Sequence, residues 1–108
     1  MNADEFSDRL WDFAVRIAKL VDSLPNTRAG TSSAPNYDEG CAAESREDFV
    51  HELGIATKEM RETRGWLRFI VKTKLQPGSK LAPLLECEQL LRMLSKSVLT
   101  TKLRPNAK

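Results

Sequence analysis

At 108 residues and 12.2 kDa the chain has room for a single domain with a modest core. Hydrophobic residues make up 41% and charged residues 30%, which excludes a disordered chain, and no apolar run reaches the ~18 residues a bilayer span needs. Net charge is only +2, yet residues 1–57 carry 5 Lys/Arg against 11 Asp/Glu, a balance of −6, while residues 58–108 carry 12 against 4, a balance of +8.

Met1 to Asp8 is acidic and polar, the opposite of a secretory or mitochondrial leader. Cys41 and Cys87 lie far apart within helical pattern, which fits reduced thiols better than a disulfide framework. A cytoplasmic location is the expectation.

The spacing predicts an all-α chain: an antiparallel up-down four-helix bundle with a short second helix, the whole of 1–108 forming one domain. The first helix is expected over residues 4–24, where Phe6, Leu10, Phe13, Ala14, Ile17, Leu20, Val21 and Leu24 recur every three or four positions. Pro25 ends it, and Asn26 to Thr31 reads as a turn. A short second helix is expected over 32–43, with Ser32 or Ser33 as its cap, Pro35 in its first turn and Asp38 and Glu39 near its positive end. Gly40 weakens it by ~1 kcal/mol relative to alanine.

The third helix, expected over 45–75, is the longest. Ser45 and Asp48 resemble a capping arrangement, and Phe49, Leu53, Ala56, Met60, Thr63, Leu67, Ile70 and Val71 form its apolar stripe. Gln76-Pro77-Gly78-Ser79 ends it. The fourth helix is expected over 80–103, with Pro83 in its first turn and Leu81, Leu84, Leu85, Leu90, Leu91, Leu94, Val98 and Leu99 as its stripe. The connections are short, so neighbouring helices run antiparallel.

Two further arcs flank the apolar stripe of the third helix. On one side Lys58, Arg61, Arg64, Arg68 and Lys72 form a basic row at spacings of 3, 3, 4 and 4. Such a row can follow phosphates; the plainer reading is a solvated face paired with nearby glutamates. On the other side lie Ile55, Glu59, Glu62, Trp66 and Phe69. An aromatic pair outside the main stripe is either a subunit contact or part of a wide core.

Nothing points to catalysis. His51 is the single histidine, so one chain has no multi-histidine metal site or histidine-based triad, and Glu47 with His51 gives only two ligands. The five glycines fit neither phosphate-cradling spacing, and the cysteines have no CxxC neighbour. No catalytic residue, metal, cofactor or small-molecule substrate is expected. An enzyme is the distant alternative.

Three segments carry a resemblance: Gly30-Thr31-Ser32-Ser33-Ala34-Pro35-Asn36-Tyr37-Asp38-Glu39, Glu44-Ser45-Arg46-Glu47-Asp48-Phe49, and Arg61-Glu62-Thr63 followed by Trp66-Leu67. Together they resemble the bacterial four-helix-bundle proteins called 23S ribosomal-RNA intervening-sequence proteins. That group is similar in fold to the accessory variability determinant of diversity-generating retroelements. The resemblance implies a pentameric ring of bundles without known enzymatic activity, and for most members without an established role. The retroelement relative implies a basic surface that engages nucleic acid and a reverse transcriptase. Asn36 and Glu39 match a recurrent polar pair of the second helix and Glu62, Thr63 and Trp66 a recurrent cluster of the third; Asn36, Glu39 and Thr63 are expected to be structural. The connection before Gly30 is shorter than the family pattern. The second helix should therefore be about half the length of the third, uncovering apolar surface on the first and third.

The expected function is a homo-oligomeric structural or adaptor protein. The alternative is a nucleic-acid-binding accessory protein that meets RNA or DNA with the basic row.

Overall fold

A computed structural model describes residues 1–20, 28–73 and 81–104, and four helices make up nearly all of them. These are α1 (Ala3–Leu20), α2 (Arg28–Cys41), α3 (Arg46–Thr73) and α4 (Leu81–Leu103). Expected helical positions 21–24, 74–75 and 80 lie outside the described residues.

Local chemistry fixes two of the starts. At α1 the Glu5 amide donates to Asn2 Oδ1 at 2.8 Å and the Asn2 amide to Glu5 Oε1 at 3.4 Å, a reciprocal capping box. At α3 the Asp48 amide donates to Ser45 Oγ at 3.0 Å, the cap its spacing predicts.

The second helix departs from expectation. It begins at Arg28 and ends at Cys41, so Arg28 to Thr31 belongs to the helix and Pro35 sits in its interior. Ser33 is no cap: it is buried, and its hydroxyl donates to the Ala56 carbonyl of α3 at 3.1 Å. Asp38 and Glu39 fall near the negative end of the helix, where the dipole disfavours them. Tertiary contacts override these local costs. Ala34 and Tyr37 are buried, Tyr37 meets Phe6 edge to face at 4.8 Å, and Asp38 accepts from Ser7 and Trp11 of α1.

Gly40 has the opposite role from a weak spot. A Cβ there would lie 2.6 Å from Leu53 Cδ1 and 3.3 Å from Glu52 Cβ, so its absence lets α2 approach α3 closely.

Each helix packs on its chain neighbours, α4 closes against α1, and α1 and α3 stand at opposite corners. The antiparallel register shows in named pairs: Ser33 with Ala56, Cys87 with Met60, and Arg46 with the Thr101 carbonyl. The bundle measures 53 × 22 × 20 Å, and α2, at 14 residues, is half as long as the 28-residue α3.

Phe6, Leu10, Phe13 and Ile17 of α1 join Leu53, Ala56, Met60 and Leu67 of α3 and Leu90, Leu91 and Leu94 of α4 in one core. Thr57 and Thr63 are buried but satisfied, donating to the carbonyls of Leu53 and Glu59 four residues back. The α4 stripe needs correction: Leu85 and Leu99 are 55% and 57% exposed, and Cys87 takes the buried place. Cys41, at the end of α2, is exposed.

Candidate interaction surfaces on α3

Twenty-eight residues of continuous helix give α3 a length of ~42 Å and three distinct faces. The core face holds Leu53, Met60, Leu67 and Ile70, all nearly inaccessible. The other two faces carry the residues that the spacing singled out.

On the aromatic side, Trp66 and Phe69 are 43% and 51% exposed. Their rings meet edge to face, centroids 6.0 Å apart at 88°, so each orders the other without being covered. Earlier on the same side of the helix Ile55 and Glu59 are half-buried and Glu62 is exposed. The pair is therefore not part of this chain's own core. Thr63 sits one turn before Trp66, buried and turned inward. Asn36 is half-buried and Glu39 exposed on α2.

On the basic side, Lys58, Arg61, Arg68 and Lys72 are exposed and Arg64 is half-buried. None of the five forms an ion pair with a described residue; the one ion pair among those residues is Arg9–Glu86. The paired-with-glutamate reading of this row thus has no support in the geometry. Arg64 differs from the others because its charge reaches the Cys87 thiol of α4. Burial pushes that thiol up to about 12, Arg64 pulls it slightly back, and Glu88 and Glu86 push it further up. Gly54 and Gly65 share the solvent side with the cations, and a Cβ at either would meet nothing within 4 Å.

Sequence reasoning missed a surface on α1. Trp11 and Val15 are 44% and 52% exposed, one helical turn apart, and Asp4, Asp8 and Asp12 are exposed on the same helix. The Trp11 indole N–H donates to Asp38 Oδ2 at 2.8 Å, which fixes the ring at the edge of α2. An i, i+4 apolar pair beside the main stripe was the available signal. These exposed apolar residues lie on α1 and α3, the helices a short α2 was expected to uncover.

A groove at the α1–α4 seam is lined by Arg9, Asp12, Phe13, Arg16 and Glu86. Arg9 is held there from three sides, by Glu86, the Gln89 side chain and Met93 Sδ. His51 is exposed on α3, and among the described residues no three His, Cys, Asp or Glu side chains gather as metal ligands. No described helix is long and apolar enough to cross a membrane.

Comparison with known proteins places this architecture. The chain is similar to a crystal structure of a protein of unknown function from the S23 ribosomal protein family of Bacteroides thetaiotaomicron. Identity is 29%, the TM-score is 0.81, and the match covers 92% of this chain and 99% of the other. No curated protein matches the chain. The sequence model of the 23S rRNA-intervening sequence proteins matches residues 9–96, which takes in nearly all of the bundle just described. The chain belongs to the 23S rRNA-intervening sequence protein family.

Proposed function

We propose that this protein is a non-enzymatic, self-associating bundle that works as a structural or adaptor assembly in the cytoplasm. The observation that carries the reading is the Trp66–Phe69 pair, half exposed on a helix whose core face is already filled. Large ordered aromatics on an otherwise charged surface are typical anchors of protein interfaces. A bundle of 12.2 kDa also gains more from burial between copies than a larger domain would. Resemblance to the family supports five copies. Sedimentation velocity of the wild type and of Phe69→Ser tests the reading. The wild type should sediment as a multimer and the variant as a smaller species; equal, monomeric sedimentation of both would remove it.

A second reading rests on the unpaired cations. Four exposed positive side chains without acidic partners form a row that a nucleic-acid backbone fits. No exposed aromatic interleaves with them, so duplex is favoured over stacked single strands. The ribosomal wording in the names of its relatives makes an RNA duplex the first probe. Binding should weaken steeply with salt and disappear in Arg61→Glu/Arg68→Glu; binding unaffected by both would remove this reading.

A further inference from the structure

The fourth helix has a second regular face. Leu85, Gln89, Arg92, Lys96, Leu99 and Leu103 follow one another at spacings of 4, 3, 4, 3 and 4, and all six are exposed. The core face keeps the same rhythm through the buried Leu84, Cys87, Leu91 and Leu94, so α4 repeats every seven residues on two opposite sides. The outward row is ~27 Å long. A three-and-four row of this kind is the seam along which a second helix packs.

The chemistry of the row says what that second helix carries. Leucine stands at both ends, and Leu103 is 74% exposed. Arg92 and Lys96 hold the centre one turn apart, and neither forms an ion pair or a hydrogen bond through its side chain with a described residue. Gln89 is engaged by Arg9 at 3.0 Å. Acids do border the row: Glu88 is half-buried on α4, Glu86 is tied to Arg9, and Glu47 is exposed on α3 next to the Arg46 that holds the Thr101 carbonyl. Lys102 and Arg104, both exposed, add cations near its end. No acid stands in the row itself, so a helix laid along it meets leucines at the ends and two uncompensated cations between them.

Other occupants fit less well. Pairing α4 of one copy on α4 of another, in either direction, sets Arg92 and Lys96 against the same two cations, and like charges across an interface are disfavoured. A nucleic-acid backbone pairs with the cations but leaves the leucines in water.

Building on the adaptor part of the function proposed above, we infer that the outward face of α4 docks an amphipathic helix of a different protein, one with apolar residues at both ends of its contact stripe and Asp or Glu at the middle. The leucines give such a contact its buried area, and the central charges select the partner and fix its register. Trp66 and Phe69 lie on α3, so association of copies through that pair leaves the α4 row open.

The probe is a synthetic helical peptide about three heptads long, with Leu at the end positions of its stripe and Glu at the central ones; a twin peptide carries Lys in place of Glu. Fluorescence anisotropy follows the binding of each to the full-length protein. The wild type should bind the Glu peptide about tenfold or more tightly than the Lys peptide, and Arg92→Glu/Lys96→Glu should reverse that order. Leu99→Ser/Leu103→Ser should lose both peptides. All four positions are exposed, and circular dichroism checks folding. Should the charge-reversed variant fail to fold, Arg92→Gln/Lys96→Gln replaces it and should bind the two peptides alike. No binding of either peptide by the wild type, or a preference that the charge changes leave untouched, overturns the inference. So does a wild-type assembly whose mass falls in Leu99→Ser/Leu103→Ser, which gives the face to another copy. Loss of RNA-duplex binding in Arg92→Glu/Lys96→Glu without reversal of the peptide preference gives the face to nucleic acid and also overturns it. A wild type that is monomeric and still shows the reversal removes self-association and leaves this inference standing.

Discussion

Trp66 and Phe69 meet edge to face on the solvent side of α3, their centroids 6.0 Å apart, while Leu67 between them is 98% removed from solvent. One turn of helix thus serves the core and an outer surface at once. Substitutions here should separate the two. Trp66→Ala removes an exposed ring contact worth ~1 kcal/mol and should lower the oligomeric mass with a small change in melting temperature. Leu67→Ala should cost ~2–5 kcal/mol in thermal or denaturant unfolding. Equal destabilisation by the two would mean that Trp66 acts as core.

The glycines should divide in the same way. Gly40→Ala forces a Cβ against Leu53 and Glu52, an overpacking cost of ~1–3 kcal/mol that outweighs the ~1 kcal/mol gained in helix propensity. Gly54→Ala and Gly65→Ala meet open space and should each stabilise an isolated copy by ~0.5–1 kcal/mol. Urea unfolding of the three variants checks the order.

The two thiols should differ sharply in reactivity. Cys87 is fully buried, donates to the Met60 carbonyl at 3.5 Å and is pushed up to about 12, whereas Cys41 is exposed. At pH 8 an alkylating reagent should modify Cys41 quickly and Cys87 only through unfolding. The folded thiol titrates above its ordinary value of 9.0, so its contribution to stability is complete below about pH 9. It is lost as pH rises from there toward 12. Burial pushes the Tyr37 hydroxyl up as well, in the same alkaline direction. A melting temperature that falls above pH 9 less steeply in Cys87→Ala would confirm the thiol's share.

Arg9 and Glu86 fasten the seam between α1 and α4. Arg9 Nη2 lies 2.6 Å from Glu86 Oε1 and Nε 3.1 Å from Oε2, a two-pronged pair about one-quarter exposed on each side. Glu86→Gln should cost ~1 kcal/mol, shrinking as salt screens the charges. Chemical denaturation of the variant with urea at low and high salt measures both.

The sequence carried the bundle because its two longest amphipathic patterns are regular. The apolar positions expected on α1 from Phe6 to Ile17 and on α3 from Leu53 to Ile70 are the ones the core contains. It misled at the start of α2, where Asn26 to Thr31 read as a turn: the helix already runs from Arg28, so Ser33 is a buried interior residue rather than a cap and Pro35 lies beyond the first turn. On α4 leucines occupy two adjoining sides, so period alone did not say which side turns inward. The exposed cations of α3 were legible from their spacing. The acidic side of α1 was legible as charge, but its place at the corner opposite α3 depends on topology, as does the Trp11–Asp38 bond across 27 residues.

The central claim is that this chain functions as an assembly of copies. Light scattering on a size-exclusion column, at several protein concentrations and at low and high salt, tests it most directly. The expected mass is several times 12.2 kDa, about five times if the family likeness extends to stoichiometry, and it falls in Trp66→Ala. A mass of 12.2 kDa at every concentration and salt would contradict it.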